Sequence, residues 1–276
     1  MKDEIGDRMK QFYEDRTKFL LPRRTYTIIR IDGKAFHTYT RGLKQPFDDG
    51  LIEDMDATAC YLCKNIQGSK FAFVQSDEIS ILMTDFDAIG TDAWFDGNIQ
   101  KIVSVAAGLA TAEFNRLRIL RKIKGNGIDA NLILYGGNNI GITDFEKIKM
   151  ATFDARIFTI PANYEVENYF IWRQKDATRN SISSVAQSLY SHKELEGKNG
   201  DQKQEMIFQK GTNWNDYAPM LKRGRFITKQ TRIMETPFIA VDKKQTTYER
   251  SVWVTVECPI FTQERDFLTN KIPNQD

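Results

Sequence analysis

Tyr26-Thr27-Ile28-Ile29-Arg30-Ile31-Asp32-Gly33-Lys34-Ala35-Phe36-His37 and Phe71-Ala72-Phe73-Val74-Gln75-Ser76-Asp77-Glu78-Ile79-Ser80-Ile81-Leu82-Met83 are the stretches around which this chain is organised. Each opens as a short run rich in Ile, Val and Phe, the composition and length of a buried strand. Each run ends on acid. Ile28, Ile29 and Ile31 lead into Asp32-Gly33, and Phe71, Phe73 and Val74 lead into Asp77-Glu78, after which Ile79–Met83 begins a further run at once. The second stretch is therefore a hairpin with carboxylates at its turn. Beside a strand that ends in another acid, it brings three carboxylates together. Hard divalent cations such as Mg²⁺ take oxygen ligands of this kind and share them with phosphates. Two such ions clamp the attacking and leaving oxygens of a phosphoryl or nucleotidyl transfer. Asp32-Gly33 and Ser76-Asp77 are also ordinary turn formers, so the pattern alone leaves both readings open.

Working outward, Leu51–Asn65 carries Leu51, Met55, Thr58 and Leu62 on one helical face, and Ile99–Asn115 is a helix rich in small residues (Val103, Ala106, Ala107, Ala110). Arg156–Ile160 is a strand stopped by Pro161. The order βαββαβ describes an α+β chain with a ferredoxin-like sheet. The polymerase palm shares this arrangement, and so do nucleotide cyclases, so fold alone does not choose between them. Before this unit, Ile5, Met9, Phe12 and Phe19 mark an amphipathic helix over residues 1–20. After it come long helical patterns at Glu165–Leu189 and Asp201–Gln209 and strands at Phe226–Thr231 and Tyr248–Val256. With no repeat and no linker, the expectation is a palm-like catalytic unit over 1–161 and a packed C-terminal extension of helices and strands over 162–276. Asn131–Tyr135 is expected as an additional strand. Arg116, Arg118, Arg121, Lys122 and Lys124 form a basic cluster, which usually means a solvated face and less often a nucleic-acid contact.

Composition narrows the class. The 276 residues are 41% hydrophobic and 12% aromatic, enough for a real core, and the net charge is only +2, so any basic face is local. Three cysteines, Cys60, Cys63 and Cys258, argue against a disulfide framework and for a reducing, cytoplasmic setting. Cys60 and Cys63 have CxxC spacing, but no second pair completes a zinc site, and their helical context favours packing. The N-terminus has no apolar signal core and no run reaches membrane-spanning length.

Arg30-Ile31-Asp32-Gly33-Lys34-Ala35-Phe36-His37 and Phe73-Val74-Gln75-Ser76-Asp77-Glu78-Ile79-Ser80 resemble the two signature motifs of the tRNA(His) guanylyltransferase family, which includes the 3′-to-5′ RNA polymerases called guanylyltransferase-like proteins. Lys101 through Ala112, Phe153-Asp154-Ala155-Arg156 and Trp172-Arg173-Gln174-Lys175-Asp176 add to the likeness. It implies a metal-dependent nucleotidyltransferase that extends the 5′ end of tRNA with NTPs after ATP or GTP activates a 5′-monophosphate. By resemblance Asp32 and Asp77 are metal ligands for two Mg²⁺ ions, Gly33 offers its carbonyl oxygen, and Glu78 supports the catalytic site. Nucleotide contacts are implied for Gly33, Lys34, Ala35, Phe36, His37, Lys44, Asp48, Ser76 and Lys101, and tRNA contacts for Arg173, Arg179, Asn180, Lys203, Lys222 and Arg223. A homotetramer without membrane association is implied as well.

Two departures stand out. The basic residue that the family commonly places before its proline is Gln45 here, with Lys44 one residue earlier. The H-I-N-N motif of eukaryotic members reads Thr178-Arg179-Asn180-Ser181, keeping one asparagine. This favours the bacterial, archaeal or viral guanylyltransferase-like proteins and template-directed 5′-end repair over anticodon-specific action. The rival readings are a palm-fold cyclase or dinucleotide synthase, and a non-catalytic RNA-binding module. Acids at the strand ends speak against the second rival, because they repel RNA unless a cation neutralises them.

Overall fold

The computed structural model describes residues 3–125, 148–235 and 247–275; the expected strand Asn131–Tyr135 lies outside them. Among the described residues six strands form one antiparallel sheet: β1 (Tyr26–Gly33), β2 (Ser69–Gln75), β3 (Glu78–Met83), β4 (Phe153–Ile160), β5 (Arg225–Glu235) and β6 (Thr247–Glu257), in the spatial order β4-β1-β3-β2-β5-β6. The helices are α1 (Glu4–Met9), α2 (Phe36–Tyr39), α3 (Asp49–Asn65), α4 (Ile99–Gly125), α5 (Asn163–Leu189), α6 (His192–Leu195), α7 (Gly200–Gln209), α8 (Pro219–Arg223) and α9 (Asp266–Thr269). The chain is thus α+β. The βαββαβ order expected from the sequence is present in β1, α3, β2, β3, α4 and β4. The C-terminal strands do not form a sheet of their own: β5 pairs with β2 through Ala72↔Ile227, Phe73↔Phe226 and Val74↔Arg225.

Side-chain alternation divides the core between the two faces of this sheet. Ile29, Ile31, Ala72, Val74, Ile79 and Ile81 point to one face, where Met55, Ala59 and Leu62 of α3 and Ala106, Ala110 and Phe114 of α4 cover them. Ile28, Phe71, Phe73 and Leu82 point to the other, under Val166, Tyr169, Phe170 and Ala177 of α5 and Phe261 and Leu268. Every residue of β3 is buried. A strand covered on both faces has no solvent side, which is why its apolar run is nearly unbroken. Each large side chain so buried contributes about 1.5–3 kcal/mol.

Two elements differ from the sequence reading. α4 runs on to Gly125 and takes in the basic cluster. There Arg118 and Arg121 both bond the buried carboxylate of Asp54 on α3, and Arg116 forks onto Glu113. Arg118 and Arg121 thus tie α4 to α3, while the Arg116 pair stays within α4 at the surface. The N-terminal segment is not one helix: α1 gives way to a π-turn at Lys10–Glu14 and a 3₁₀ turn at Asp15–Thr17. Its apolar side chains Ile5, Phe12, Tyr13 and Phe19 are exposed by more than half. Cys63 is buried and Cys60 half-buried on α3, within or against the core.

Candidate active site

The acids meet at one end of the sheet. Asp32, near the end of β1, stands directly opposite Glu78 of β3 and Asp154 of β4. Its side chain has the parity of Ile28 and Arg30 and so faces α5. Asp77 occupies the turn between β2 and β3, beside Ser76 at φ 47°. Ala35, just beyond Gly33, is also left-handed at φ 53°. Two non-glycine residues in that region, each costing about 1–2 kcal/mol, flank the two aspartates. Backbone strain of this kind gathers at functional sites.

Burial and charge set the electrostatics. Burial, with Asp32 close by, pushes the Asp77 carboxyl up to about 6 from an ordinary 3.8, against hydrogen bonding from Ser76. The Asp32 carboxyl is likewise raised by burial and by Asp154, while Arg156, Arg30 and Arg173 pull it back. Both carboxyls are raised mainly by burial, Asp32 adds to the rise at Asp77, and their oxygens are hard donors. This donor set fits a divalent cation.

Glu78 does not join them as a third free carboxylate. Arg173 of α5 holds it by two parallel bonds, Nε to Oε1 at 2.8 Å and Nη2 to Oε2 at 2.7 Å, and reaches Asp176 Oδ2 at 2.7 Å. Ser80 Oγ donates to Glu78 Oε1 at 3.2 Å. Among the described residues there is no group of three His, Cys, Asp or Glu side chains placed to hold a metal ion. Glu78 instead braces the hairpin against α5, next to Asp77.

Several other expected roles change with burial. Arg173 is 5% exposed and spent on carboxylates, so it positions the hairpin and does not meet tRNA. Lys222 is also buried, donating to Asn215 O at 2.5 Å with its Nζ 5.4 Å from the Trp214 ring centre; burial, then Arg223, lowers its pKa. Its ammonium is not presented to RNA. Phe36 lies in the core against Tyr39, Phe114 and Phe153, so only its backbone can approach a nucleotide. The remaining expected residues keep open surface. Lys34 and His37 are exposed, and Lys101 is exposed with its Nζ 5.6 Å from the Phe95 ring centre. Lys44 Nζ pairs with Asp49 at 2.9 Å. Asp48 caps α3 by accepting from Leu51 N at 2.7 Å. Arg179 is exposed and paired with Asp176, Lys203 donates to Ser183 Oγ at 3.1 Å, and Arg223 is half-buried.

Gly33 is required by contact. A Cβ there would lie 2.1 Å from Phe36 Cδ2, inside a ring cluster that cannot step aside. Gly33→Ala is expected to cost about 1–3 kcal/mol, as overpacking does, and to move the loop that follows Asp32. Thermal unfolding, with Gly108→Ala as control because nothing lies within 4 Å of a Cβ there, checks this.

Next to the Asp77 turn lies a cavity of about 130 Å³ between α3, α5 and α8. Asp48, Gln75, Ser76, Asn180, Ser184 and Arg225 contribute polar side chains to its wall. The sequence singles out no role for Gln75 and reads Arg225, with the basic segment Lys222-Arg223-Gly224-Arg225, as a phosphate contact, whereas Arg225 is buried on Asp56 and the β2–β5 pairing brings it to the same cavity as Gln75.

Comparison with known proteins fits this geometry. A family model described as tRNAHis guanylyltransferase matches residues 6–161, which include both aspartates. The chain belongs to the tRNA(His) guanylyltransferase family. It is a nucleotidyltransferase, of a family that adds nucleotides to the 5′ end of tRNA in the 3′-to-5′ direction. A bacterial tRNA(His) guanylyltransferase-like protein solved in complex with ATP is 39% identical, with a TM-score of 0.76, and the match covers 98% of this chain and 99% of that one. The same kind of protein in complex with GTP gives a TM-score of 0.73 at 39% identity, covering 98% and 99%. The tRNA(His) guanylyltransferase of Debaryomyces hansenii is 27% identical over 236 residues, 80% of this chain and 79% of that protein. The matched residues 6–161 contain β1 to β4 of this chain, and with them its sheet-end acids.

Proposed function

We propose that this chain is a template-directed 5′-end repair enzyme of the family, built on a ferredoxin-like polymerase palm over residues 1–161 with residues 162–276 packed on it. The observation that carries the reading is the pair Asp32 and Asp77, held at one sheet end with both carboxyls raised by burial, Asp32 by Asp154 as well and Asp77 by Asp32. Asp32, Asp77 and the Gly33 carbonyl would hold two Mg²⁺ ions. When bound, these supply charge neutralisation on the phosphates and a lowered pKa for the attacking hydroxyl.

The chain's own groups do the rest. Backbone N–H groups from Lys34 to His37, with the Lys34 and Lys101 ammonium groups, hold the triphosphate; His37 and Ser76 add polar contacts. Lys44 serves in place of the basic residue that Gln45 lacks. The base enters the cavity beside Asp48 and Asn180. The 3′-hydroxyl of the incoming NTP attacks the activated 5′ phosphorus of the tRNA, forming one P–O bond as the bond to the leaving phosphate breaks. ATP or GTP activates a 5′-monophosphate; a 5′-triphosphate needs no activation. Arg179, Asn180, Lys203 and Arg223 are the surface groups for tRNA phosphates, which position RNA without reading its sequence.

Breadth of substrate follows from the altered motif. Asn180 keeps an exposed position, but Ser181, where eukaryotic members carry the second Asn, is buried and accepts from Trp214 Nε1 at 3.0 Å. It presents nothing to an anticodon. The expected result is repair of several 5′-truncated tRNAs, each with the Watson–Crick nucleotide. kcat/KM for truncated tRNA(His) and two other truncated tRNAs, with matched and mismatched NTPs, checks this. Guanosine added only to tRNA(His), whatever the opposing base, overturns the repair reading.

The exposed apolar side chains of residues 5–20 support assembly into a homotetramer by covering that face. No helix among the described residues is long and apolar enough to cross a membrane, and the cysteine usage supports a cytoplasmic setting.

A further inference from the structure

The first turns of the chain have an apolar side that their own chain does not cover. Ile5, Met9, Phe12 and Tyr13 recur at the spacing of one helical face, and Phe19 and Leu20 follow. Ile5, Tyr13 and Phe19 are exposed by 68%, 67% and 65%, and no residue of α1 or of the two turns after it is buried. Among the described residues no hydrogen bond or ion pair joins residues 4–18 to the body of the protein. The segment is rooted beyond that point, at the start of α4: Phe19 O accepts from Ile99 N at 3.0 Å, and Leu21 N donates to Gly97 O at 2.9 Å. Before its root it stands off as an arm. A free helix of fewer than about 12–15 residues is marginal in water. This one has Gly6 inside it and changes to a π-turn at Lys10. The arm needs a surface to lie on.

A matching surface lies on α4. Ala107, Thr111, Ala112, Ile119 and Met150 line a shallow, mostly apolar groove of about 640 Å³. Met150 is 58% exposed there. Small side chains at 107, 111 and 112 let another helix approach closely. At about 1.5 Å per residue the groove runs roughly 18 Å along α4, and the arm from Glu4 to Thr17 roughly 20 Å. RNA and anionic lipid are poor occupants of the arm's face. Glu4, Asp7, Glu14 and Asp15 equal Arg8, Lys10, Arg16 and Lys18 in number, so the arm has no net positive charge to draw either.

We infer that the arm of one copy lies in the α4 groove of a second copy, whose own arm lies in the groove of the first. The inference rests on the homotetramer reading and names one of its interfaces. The arm is rooted at the N-terminal end of α4, and the groove lies further along the same helix. Two copies with α4 antiparallel across a two-fold axis therefore set each arm over the other's groove, a self-complementary contact of the kind that closes a dimer. Covering six apolar side chains per arm, in both directions and with the groove beneath them, buries on the order of 1,500 Å², the size of a specific and stable interface. A tetramer with dihedral symmetry has further interfaces, so loss of this one leaves pairs.

The test uses Phe12→Glu in the arm and Ala112→Glu in the groove, both at exposed positions. Sedimentation velocity and native mass spectrometry of the whole chain read the assembly. The unaltered chain is expected at the mass of four copies. Each variant is expected to fall to two, with association at least about thirtyfold weaker, the effect of losing one interface hot spot. Mixing the two variants decides the geometry. The intact arm of the Ala112→Glu copy then meets the intact groove of the Phe12→Glu copy, so a share of the assembly returns as mixed species that neither variant forms alone. A groove variant that assembles normally while the arm variant does not would set the arms against each other and overturn the exchange, as would a mixture that fails to reassociate. Should either variant fail to fold by circular dichroism, Tyr13→Glu and Met150→Glu carry the same comparison. An unaltered pair that each variant splits keeps the exchange and removes the tetramer. A tetramer unmoved by either variant removes this inference alone, and an unaltered chain that is monomeric removes both.

Discussion

Asp77→Ala and Asp32→Ala are each expected to abolish 5′-nucleotide addition, with a loss on the order of a thousandfold or more, because several kcal/mol of charge stabilisation would disappear with either proposed ligand. Single-turnover addition to a 5′-truncated tRNA in Mg²⁺ measures this; a folded variant with the unaltered rate ends the metal assignment. Asp77→Asn separates function from stability. The native carboxyl keeps its proton up to about 6, whereas the unfolded chain gives it up near 3.8. Between those values the native state binds more protons, so stability falls as pH rises and the full penalty is present above about 6. The whole shift would be worth roughly 3 kcal/mol, and partial exposure reduces it to about 2 kcal/mol. Removing the charge is therefore expected to raise Tm by about 5 °C at pH 8 in chelator, and to leave it unchanged at pH 3, while activity is lost. A variant as labile as the unaltered protein at pH 8 would show that Asp77 carries no burial penalty.

Arg173→Ala is the most destabilising single change expected. It leaves the Glu78 carboxylate buried without its two parallel hydrogen bonds and takes one partner from Asp176. Removing one member of a buried pair costs about 3–5 kcal/mol, which in a chain of this size lowers Tm by roughly 10 °C. Arg173→Met/Glu78→Gln, which removes both charges, recovers most of the loss. Below its transition, Arg173→Ala keeps the salt dependence of tRNA binding, since a residue that touches no phosphate releases no counterion. A slope reduced by one phosphate contact would restore Arg173 to the RNA surface.

Much of this protein was legible in its sequence, for reasons of local physics. Ile, Val and Phe in runs of strand length, followed by Asp-Gly or Ser-Asp, fix β1 and the β2–β3 hairpin before any packing is known, because burial on both faces demands continuous apolar side chains. The motif resemblance identified the family, and the structure brings Asp32 and Asp77 to one end of the sheet as the split order requires.

Only the tertiary structure decided which charges are free. Arg173, Arg179, Lys222 and Arg223 look alike in sequence, yet Arg173 and Lys222 are buried and bonded inside while Arg179 stays outside. The difference comes from helical phase: Arg173 lies on the stripe of α5 that includes Tyr169, Phe170 and Ala177, facing the sheet. Arg118 and Arg121 are likewise spent on Asp54, more than 60 residues away in sequence. Gln75 and Arg225 share a cavity because β5 joins the sheet beside β2, a pairing between distant segments that no local pattern specifies. The sequence determined the strands, the acids and the family; long-range packing determined which of its polar groups remain to meet a ligand.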